Sequence, residues 1–239
     1  IGTAQERDEF LGAVDCSGQV DGDNLLVLER VNLLKIVTGL LPCDQGQVLI
    51  HGEPVRLIEK FQVGTHQGPL LGVLFQNAAL FDSLCVYDNI AFPLRHHLQL
   101  PPPEVDRRTR ECLEQVELEA YSLALPGEIS IGMRKRVGIA RALAVQPEIL
   151  LFDEPNTALD PQTGQEIYDL IKHMHQRLRF TGIVISHEIP EVFQVCARVA
   201  MLYDGQVQHD GKVEDFVRST NPLVRQFVEG RSEGPIRLV

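Results

Sequence analysis

The chain has 239 residues, 44% of them hydrophobic, which is length and apolar content enough for a sizeable core. A formal net charge of −11 argues against a nucleic-acid binder, whose domain would carry a basic face. No apolar run approaches the roughly 20 residues of a membrane span, and the opening residues do not read as a charged-then-apolar leader.

In chain order, residues 1–9 are polar and carry no clear element. Residues 10–20 suggest an antiparallel strand pair, and 24–28 (Asn-Leu-Leu-Val-Leu) a first buried strand. A helix is expected over 33–40, closed by Gly39 or by the turn at Pro42. A short strand over 47–50 leads to a turn at His51 and Gly52. Residues 77–95 are apolar and aromatic, with Phe81, Tyr87 and Phe92 read chiefly as core. Pro101, Pro102 and Pro103 then break the chain before a helix over 104–118.

Ile129-Ser130-Ile131-Gly132-Met133 opens an amphipathic helix that runs to Val145. Ser130 can cap it, and its first N–H groups are placed to face an anion. Arg134, Lys135 and Arg136 read as a solvated face of this helix, with a membrane partner or acidic headgroups as the lesser reading. Ile149, Leu150, Leu151 and Phe152 form an apolar run without alternation, as in a parallel strand buried on both faces. Asp153 and Glu154 follow at once, and Pro155 ends the strand. Acids at the C-terminal end of such a strand lie where open α/β sheets bind ligands. One can hold Mg²⁺, and its neighbour, pointing the other way, can polarise a water. By itself an Asp-Glu pair reads as solvated, and only its flanks raise the functional reading.

Downstream, Ile167, Leu170, Ile171, Met174 and Leu178 predict a helix over 165–178. His173 and His175 lie two apart on it and share no face, so a metal role there is disfavoured. Residues 183–186 read as another buried strand, delivering His187. A hairpin is expected over 198–203 and 206–209 around Asp204-Gly205, then short helices over 213–218 and 222–228. The five cysteines, Cys16, Cys43, Cys85, Cys112 and Cys196, are scattered and lack C-x-x-C spacing. That pattern fits reduced thiols in cytosol better than a disulfide or zinc framework.

The ordered set of 129–133, 149–154, 157–161, His187 and Gln76 after Val73-Leu74-Phe75 resembles the ATP-binding cassette (ABC) ATPases. The resemblance makes these, in turn, the signature, the Walker B strand, the D-loop, the switch histidine and the Q-loop. It implies an α/β fold: a P-loop NTPase-like, mostly parallel sheet core, a helical subdomain and an N-terminal antiparallel β portion. Residues 1–76 and 146–210 would be the catalytic core, 77–145 the helical subdomain, and 211–239 the C-terminal helices and tail. It further implies that two copies sandwich ATP with Mg²⁺. Asp153 would serve the metal, Gln76 the metal and the water, Glu154 the attacking water, and His187 the γ-phosphate. Ser130 and Gly132 would meet the nucleotide, and Asp160 the second copy.

Three departures bear on that expectation. A G-x-x-x-x-G-K-[ST] phosphate loop belongs between strand 24–28 and helix 33–40, yet only Glu29, Arg30, Val31 and Asn32 lie there. About five loop residues, the lysine among them, are missing. Arg30 is the candidate for rescuing some phosphate contact, and a solvated arginine is the plainer reading. Ile131 stands where the family signature has Gly, and a β-branched residue resists positive φ. Residues 1–9 offer no aromatic ring to stack on adenine. Either ordinary ATP binding has been lost, or loop residues are absent from this sequence.

Two segments, 74–82 and 88–95, and the tail 225–230 with Gly234-Pro235, resemble the ATPases of Mla-type lipid transporters. This implies a permease partner docked through 76–95, an MCE-type lipid-binding protein met indirectly, and residence at the cytoplasmic face of the inner membrane. The leading expectation is the ATPase subunit of a transporter of lipids or other hydrophobic molecules. The alternative is an ABC-fold subunit that docks the permease with little or no hydrolysis. An ABC ATPase of DNA repair or translation is a distant third, since no coiled-coil insertion, tandem cassette or basic surface supports it.

Overall fold

A computed structural model describes residues 33–50, 53–54 and 71–236. The expected strands at 10–20 and 24–28, the turn at His51-Gly52, and the short loop 29–32 with Arg30 lie outside the described residues. The chain divides into two compact units, Glu59–His187 and Ile1–Ile58 with Glu188–Val239.

The unit 59–187 holds a three-stranded parallel sheet in the order β3-β4-β5, with β3 Leu71–Leu74, β4 Ile149–Asp153 and β5 Thr181–Ile185. Leu71 pairs with Ile149 and Leu74 with Phe152, while Ile149 pairs with Thr181 and Asp153 with Ile185. Leu150, Leu151 and Phe152 are essentially dry, as an unalternated apolar run requires of a central strand. β5 differs from expectation. All five of its residues are half-buried rather than buried.

Helices α2 (Val86–His96), α3 (Pro102–Gln115) and α4 (Ile131–Ala144) cross between β3 and β4. Val86, Ile90 and Leu94 of α2 pack with Val105 and Leu113 of α3 and Val137 and Ala140 of α4. The Phe81–Phe92 ring pair, with centroids 4.6 Å apart, and the buried Asn89 tie the preceding loop to α2. The Asn89 Oδ1 accepts from the Phe81 N–H at 2.8 Å, and its Nδ2 donates to the carbonyls of Phe81, Leu84 and Cys85. Helix α4 approaches β3 closely at Gly138, where a Cβ would come 2.7 Å from Leu74 Cδ1. Helix α5 (Pro161–Leu178) begins four residues earlier than its apolar periodicity suggests. Asp160 caps it and Pro161 occupies its first turn. Ile167, Tyr168, Ile171 and Met174 are its buried face, and Leu178 is exposed.

In the other unit, residues 33–37 are helical (α1) and Gly39 takes φ 74° just beyond, which suits a glycine closing a helix. Strands β1 (Leu49–Ile50) and β2 (Glu53–Pro54) pair antiparallel. Strands β6 (Arg198–Tyr203) and β7 (Gln206–Lys212) form the expected hairpin, with Asp204 and Gly205 both at positive φ in the turn. Phe216 of α6 (Val213–Val217) and Val224 of α7 (Pro222–Glu229) bury against Met201. Gln226 then clamps the chain after α7: its Nε2 donates to Ile236 O at 3.0 Å and its Oε1 accepts from Ile236 N at 2.6 Å.

Candidate functional site

The site is built at the C-terminal ends of β4 and β5. Asp153 is the last residue of β4. Glu154 follows, with its N–H donating to Ile185 O at 2.9 Å, so the backbone pairing of β4 and β5 continues one residue past the strand. Its φ of 48° then turns the chain out of the strand. A non-glycine residue in this region is sterically costly and persists only where its surroundings fix it.

The Glu154 carboxylate is buried and engaged on both oxygens. Oε1 lies 2.7 Å from His187 Nδ1, and Oε2 accepts from the Thr157 hydroxyl at 3.2 Å. His187 stands two residues beyond β5 and is exposed, so its other ring nitrogen can meet a bound group. Ser186, just before it, lies 3.3 Å from the buried Tyr168 hydroxyl, which donates to Asn156 Oδ1 at 3.1 Å. Tyr168 on α5 therefore joins the loop after β4 to the loop after β5.

Gln76 is exposed and opens a four-residue turn two residues past the end of β3. The turn belongs to the same site through Lys135, whose Nζ donates to Gln76 O at 2.5 Å and to Glu154 O at 3.0 Å. This corrects the sequence reading of 134–136 as a solvated face. Lys135 is only 2% exposed. Gly132, Lys135, Ile139 and Ala142 are all buried, at helical spacings of three and four, and that stripe was a readable signal for an inward lysine. Arg136 is half-buried and pairs with Glu117 and Glu166.

Ser130, Gly132 and Asp160 form a second group where α4 and α5 begin. Ser130 caps α4, its Oγ accepting from Met133 N at 3.2 Å. A Cβ on Gly132 would come 2.7 Å from Thr163 Cγ2, so the two helix starts pack closely there. Asp160 accepts from Thr163 Oγ1 at 2.7 Å and from the N–H groups of Gln162 and Thr163. Those bonds, first the Thr163 hydroxyl and then its N–H, hold the Asp160 carboxyl below its ordinary range. Ile131, beside Ser130, is 43% exposed, so its side chain stands in solvent at the helix N-terminus.

The donor set suits a hard cation carried with a phosphate ligand. Among the described residues no three His, Cys, Asp or Glu converge into a metal cage. Mg²⁺ bound with a substrate phosphate needs only one or two protein oxygens, which Asp153 and Gln76 can give.

A parallel sheet with acids at its C-terminal edge, a serine-capped helix and a histidine just past the next strand suits an α/β domain that binds its ligand at that edge. The chain belongs to the ABC transporter family, whose profile matches residues 32–157, and it is of the class of ABC transporter ATP-binding subunits. It is 34% identical to the intermembrane phospholipid transport system ATP-binding protein MlaF of Escherichia coli (strain K12), over 87% of this chain and 77% of that protein. It is 39% identical to the methionine import ATP-binding protein MetN of Carboxydothermus hydrogenoformans, over 93% of this chain and 63% of that protein. Among solved structures, a dimeric ATP-binding cassette in a post-hydrolysis state, bound to ADP and Pi, matches with a TM-score of 0.65 and 28% identity. That match covers 77% of this chain and 80% of the other.

Proposed function

We propose that this chain is the ATP-hydrolysing subunit of a transporter that moves phospholipids or other hydrophobic molecules across the cell envelope. The observation that carries the reading is the buried Glu154 carboxylate held 2.7 Å from His187 at the C-terminal edge of the sheet. Asp153 and Gln76 would hold Mg²⁺, which shields phosphate charge when bound. Glu154 accepts a proton from the attacking water, and His187 orients that carboxylate while facing the terminal phosphate. Ser130 and Gly132 would line the nucleotide of a second copy, and Asp160 would lie at the boundary with that copy. Arg30 would give what phosphate contact the short loop retains.

Residues 77–145 act as a helical subdomain between the core segments 1–76 and 146–210, with 211–239 as the C-terminal helices and tail. The permease docks at 76–95, a reading supported by the exposed Phe81 within it and Phe75 just before it. An MCE-type lipid-binding protein joins indirectly through the permease. Among the described residues no helix is long and apolar enough to cross a membrane, which suits a peripheral seat on the cytoplasmic face of the inner membrane. A phospholipid rather than an amino-acid cargo is favoured by 74–82 and 88–95, two separated segments that resemble Mla-type ATPases.

A second reading, a permease-docking subunit with little hydrolysis, is favoured by the short segment Glu29–Asn32 and by Ile131. Losing three charge-assisted hydrogen bonds of roughly 1.5–3 kcal/mol each weakens binding by about three to six powers of ten. Calorimetric titration with Mg-ATP separates the two. Millimolar or weaker binding by the chain as it stands supports the second reading. Restoring a Gly-rich loop with Gly-Lys-Ser before Leu33, together with Ile131→Gly, should then bring binding to micromolar. Micromolar binding without that change supports full ATPase function, with Arg30 and its neighbours replacing the loop. A restored chain that still fails to bind refutes the site assignment.

A further inference from the structure

We propose that Lys135 is a positioning residue that locks the Gln76 turn and the backbone of Glu154 into one unit. The Glu154 carboxylate is then aimed only while that turn is in place. The inference rests on the proposed ATPase reading for its consequence, but its structural core does not need it.

Lys135 reaches two carbonyls from segments far apart in the chain, 59 and 19 residues from it. Both acceptors adjoin strained backbone. Glu154 itself has φ 48°, and Ala78 and Ala79, two and three residues past Gln76, have φ 58° and 44°. Such residues hold these angles only when the surroundings over-determine them. A lysine suits this task because its ammonium offers several donors on a long flexible stem and can serve two carbonyls at once. Burying it without hydrogen bonds would be costly, so its two carbonyl contacts are coupled: displacing either segment strips the lysine of a partner.

The same helix holds the rest of the turn independently. Arg141 Nη1 donates to Ala79 O at 2.8 Å and its Nη2 to Ala78 O at 2.7 Å. Those contacts fix the turn against α4 and serve as the control, since what distinguishes Lys135 is the bond to Glu154. A lysine that merely satisfied the interior would loosen its surroundings evenly when changed.

The test is amide hydrogen exchange, by mass spectrometry, of the whole nucleotide-free chain. The reporters are the N–H of Ala78, bonded to Phe75 O, that of Glu154, bonded to Ile185 O, and that of Thr157, bonded to Glu154 O. Lys135→Met keeps the apolar stem and deletes the donors. It should speed exchange tenfold or more at both 76–79 and 154–157, and Lys135→Arg should restore much of the protection. Arg141→Met should speed exchange at 76–79 alone. Should Lys135→Met fail to fold, the shorter, neutral donor of Lys135→Gln gives the same readout with a smaller change. Faster exchange at only one of the two segments, or an even rise across α4 and β4, overturns the inference.

Hydrolysis by the loop-restored chain supplies the second arm. Lys135→Met should lower kcat at least tenfold with KM within twofold. Unchanged kcat with both segments loosened overturns the positioning role. If the loop-restored chain with Lys135 intact shows no hydrolysis at all, the ATPase reading fails, and the exchange arm alone decides whether Lys135 couples the two segments.

Discussion

Replacing Tyr168 with Phe deletes one buried oxygen and leaves the apolar packing of α5 intact, because the ring is only 1% exposed. The deleted hydroxyl donates to Asn156 Oδ1 at 3.1 Å and lies 3.3 Å from Ser186 Oγ. A net hydrogen bond contributes about 0.5–1.5 kcal/mol, and a buried acceptor deprived of a donor costs about 1–3 kcal/mol. Both ends of the bond are buried, so solvent does not replace it, and the hydroxyl's own desolvation offsets part of the loss. The expected loss is about 1–2.5 kcal/mol. With a urea m-value of about 2 kcal/mol/M, the midpoint falls by roughly 0.5–1.2 M at unchanged m. Exchange-detected urea unfolding read on peptides of β4, α5 and β5 isolates the unit that contains the bond. Tyr87→Phe is the internal control: its hydroxyl donates to Asp106 at 2.9 Å but in a half-exposed position, where water can replace the lost group. A Tyr168→Phe midpoint within experimental error of the parent, or a larger loss for Tyr87→Phe, would refute the claim that Tyr168 holds the two site loops together.

Three further outcomes are expected. In a chain that hydrolyses ATP, Glu154→Gln should leave Mg-ATP binding in place and lower kcat roughly 10²–10⁴-fold, and unchanged turnover would place the activity elsewhere. Burial pushes the Cys112 thiol up to about 12 and the Cys196 thiol up to about 11. At pH 8 their thiolate fractions are then about 10⁻⁴ and 10⁻³, so iodoacetamide should label both only after denaturation, and rapid native labelling of Cys112 would contradict its burial. The lowered Asp160 carboxyl contributes stability that is complete above its unfolded value of about 3.9 and drains away as pH falls through the lower native value. Asp160→Asn should therefore flatten the acid limb of the stability curve and converge on the parent at the lowest pH, as read by thermal melts from pH 2 to 7.

Much of the scaffold was legible because its physics is local. The apolar run 149–152 has no polar alternation and no length for a helix, so it reads as a central strand. Asp204-Gly205 supplies the two positive φ angles that its hairpin turn needs. Ser130 caps α4 as its hydroxyl and position suggest. The start of α5 was less visible because apolar periodicity ignores the first turn, where Asp160 and Pro161 set the boundary by capping and fixed φ. The half-burial of β5 was not visible in advance, because no feature of 181–185 encodes it.

The inward lysine is readable only from the spacing of its helix, not from its immediate neighbours. Three consecutive basic residues look like a solvated face, yet each residue step along a helix turns about 100°, and only the middle one falls on the buried stripe. The burial of Lys135 becomes intelligible once the backbone beneath it is known. Asp153 and Glu154 are adjacent acids, and in a continuing strand their side chains would simply oppose one another across the sheet. The left-handed φ at Glu154 breaks that alternation and turns its carboxylate to His187, while its carbonyl accepts from Lys135. The different surroundings of the two acids thus arise from one backbone angle. That angle needs the donors supplied by α4, as the paired loops need Tyr168. A substitution on α4 or α5 that touches no nucleotide can therefore disturb Glu154 as surely as one beside it.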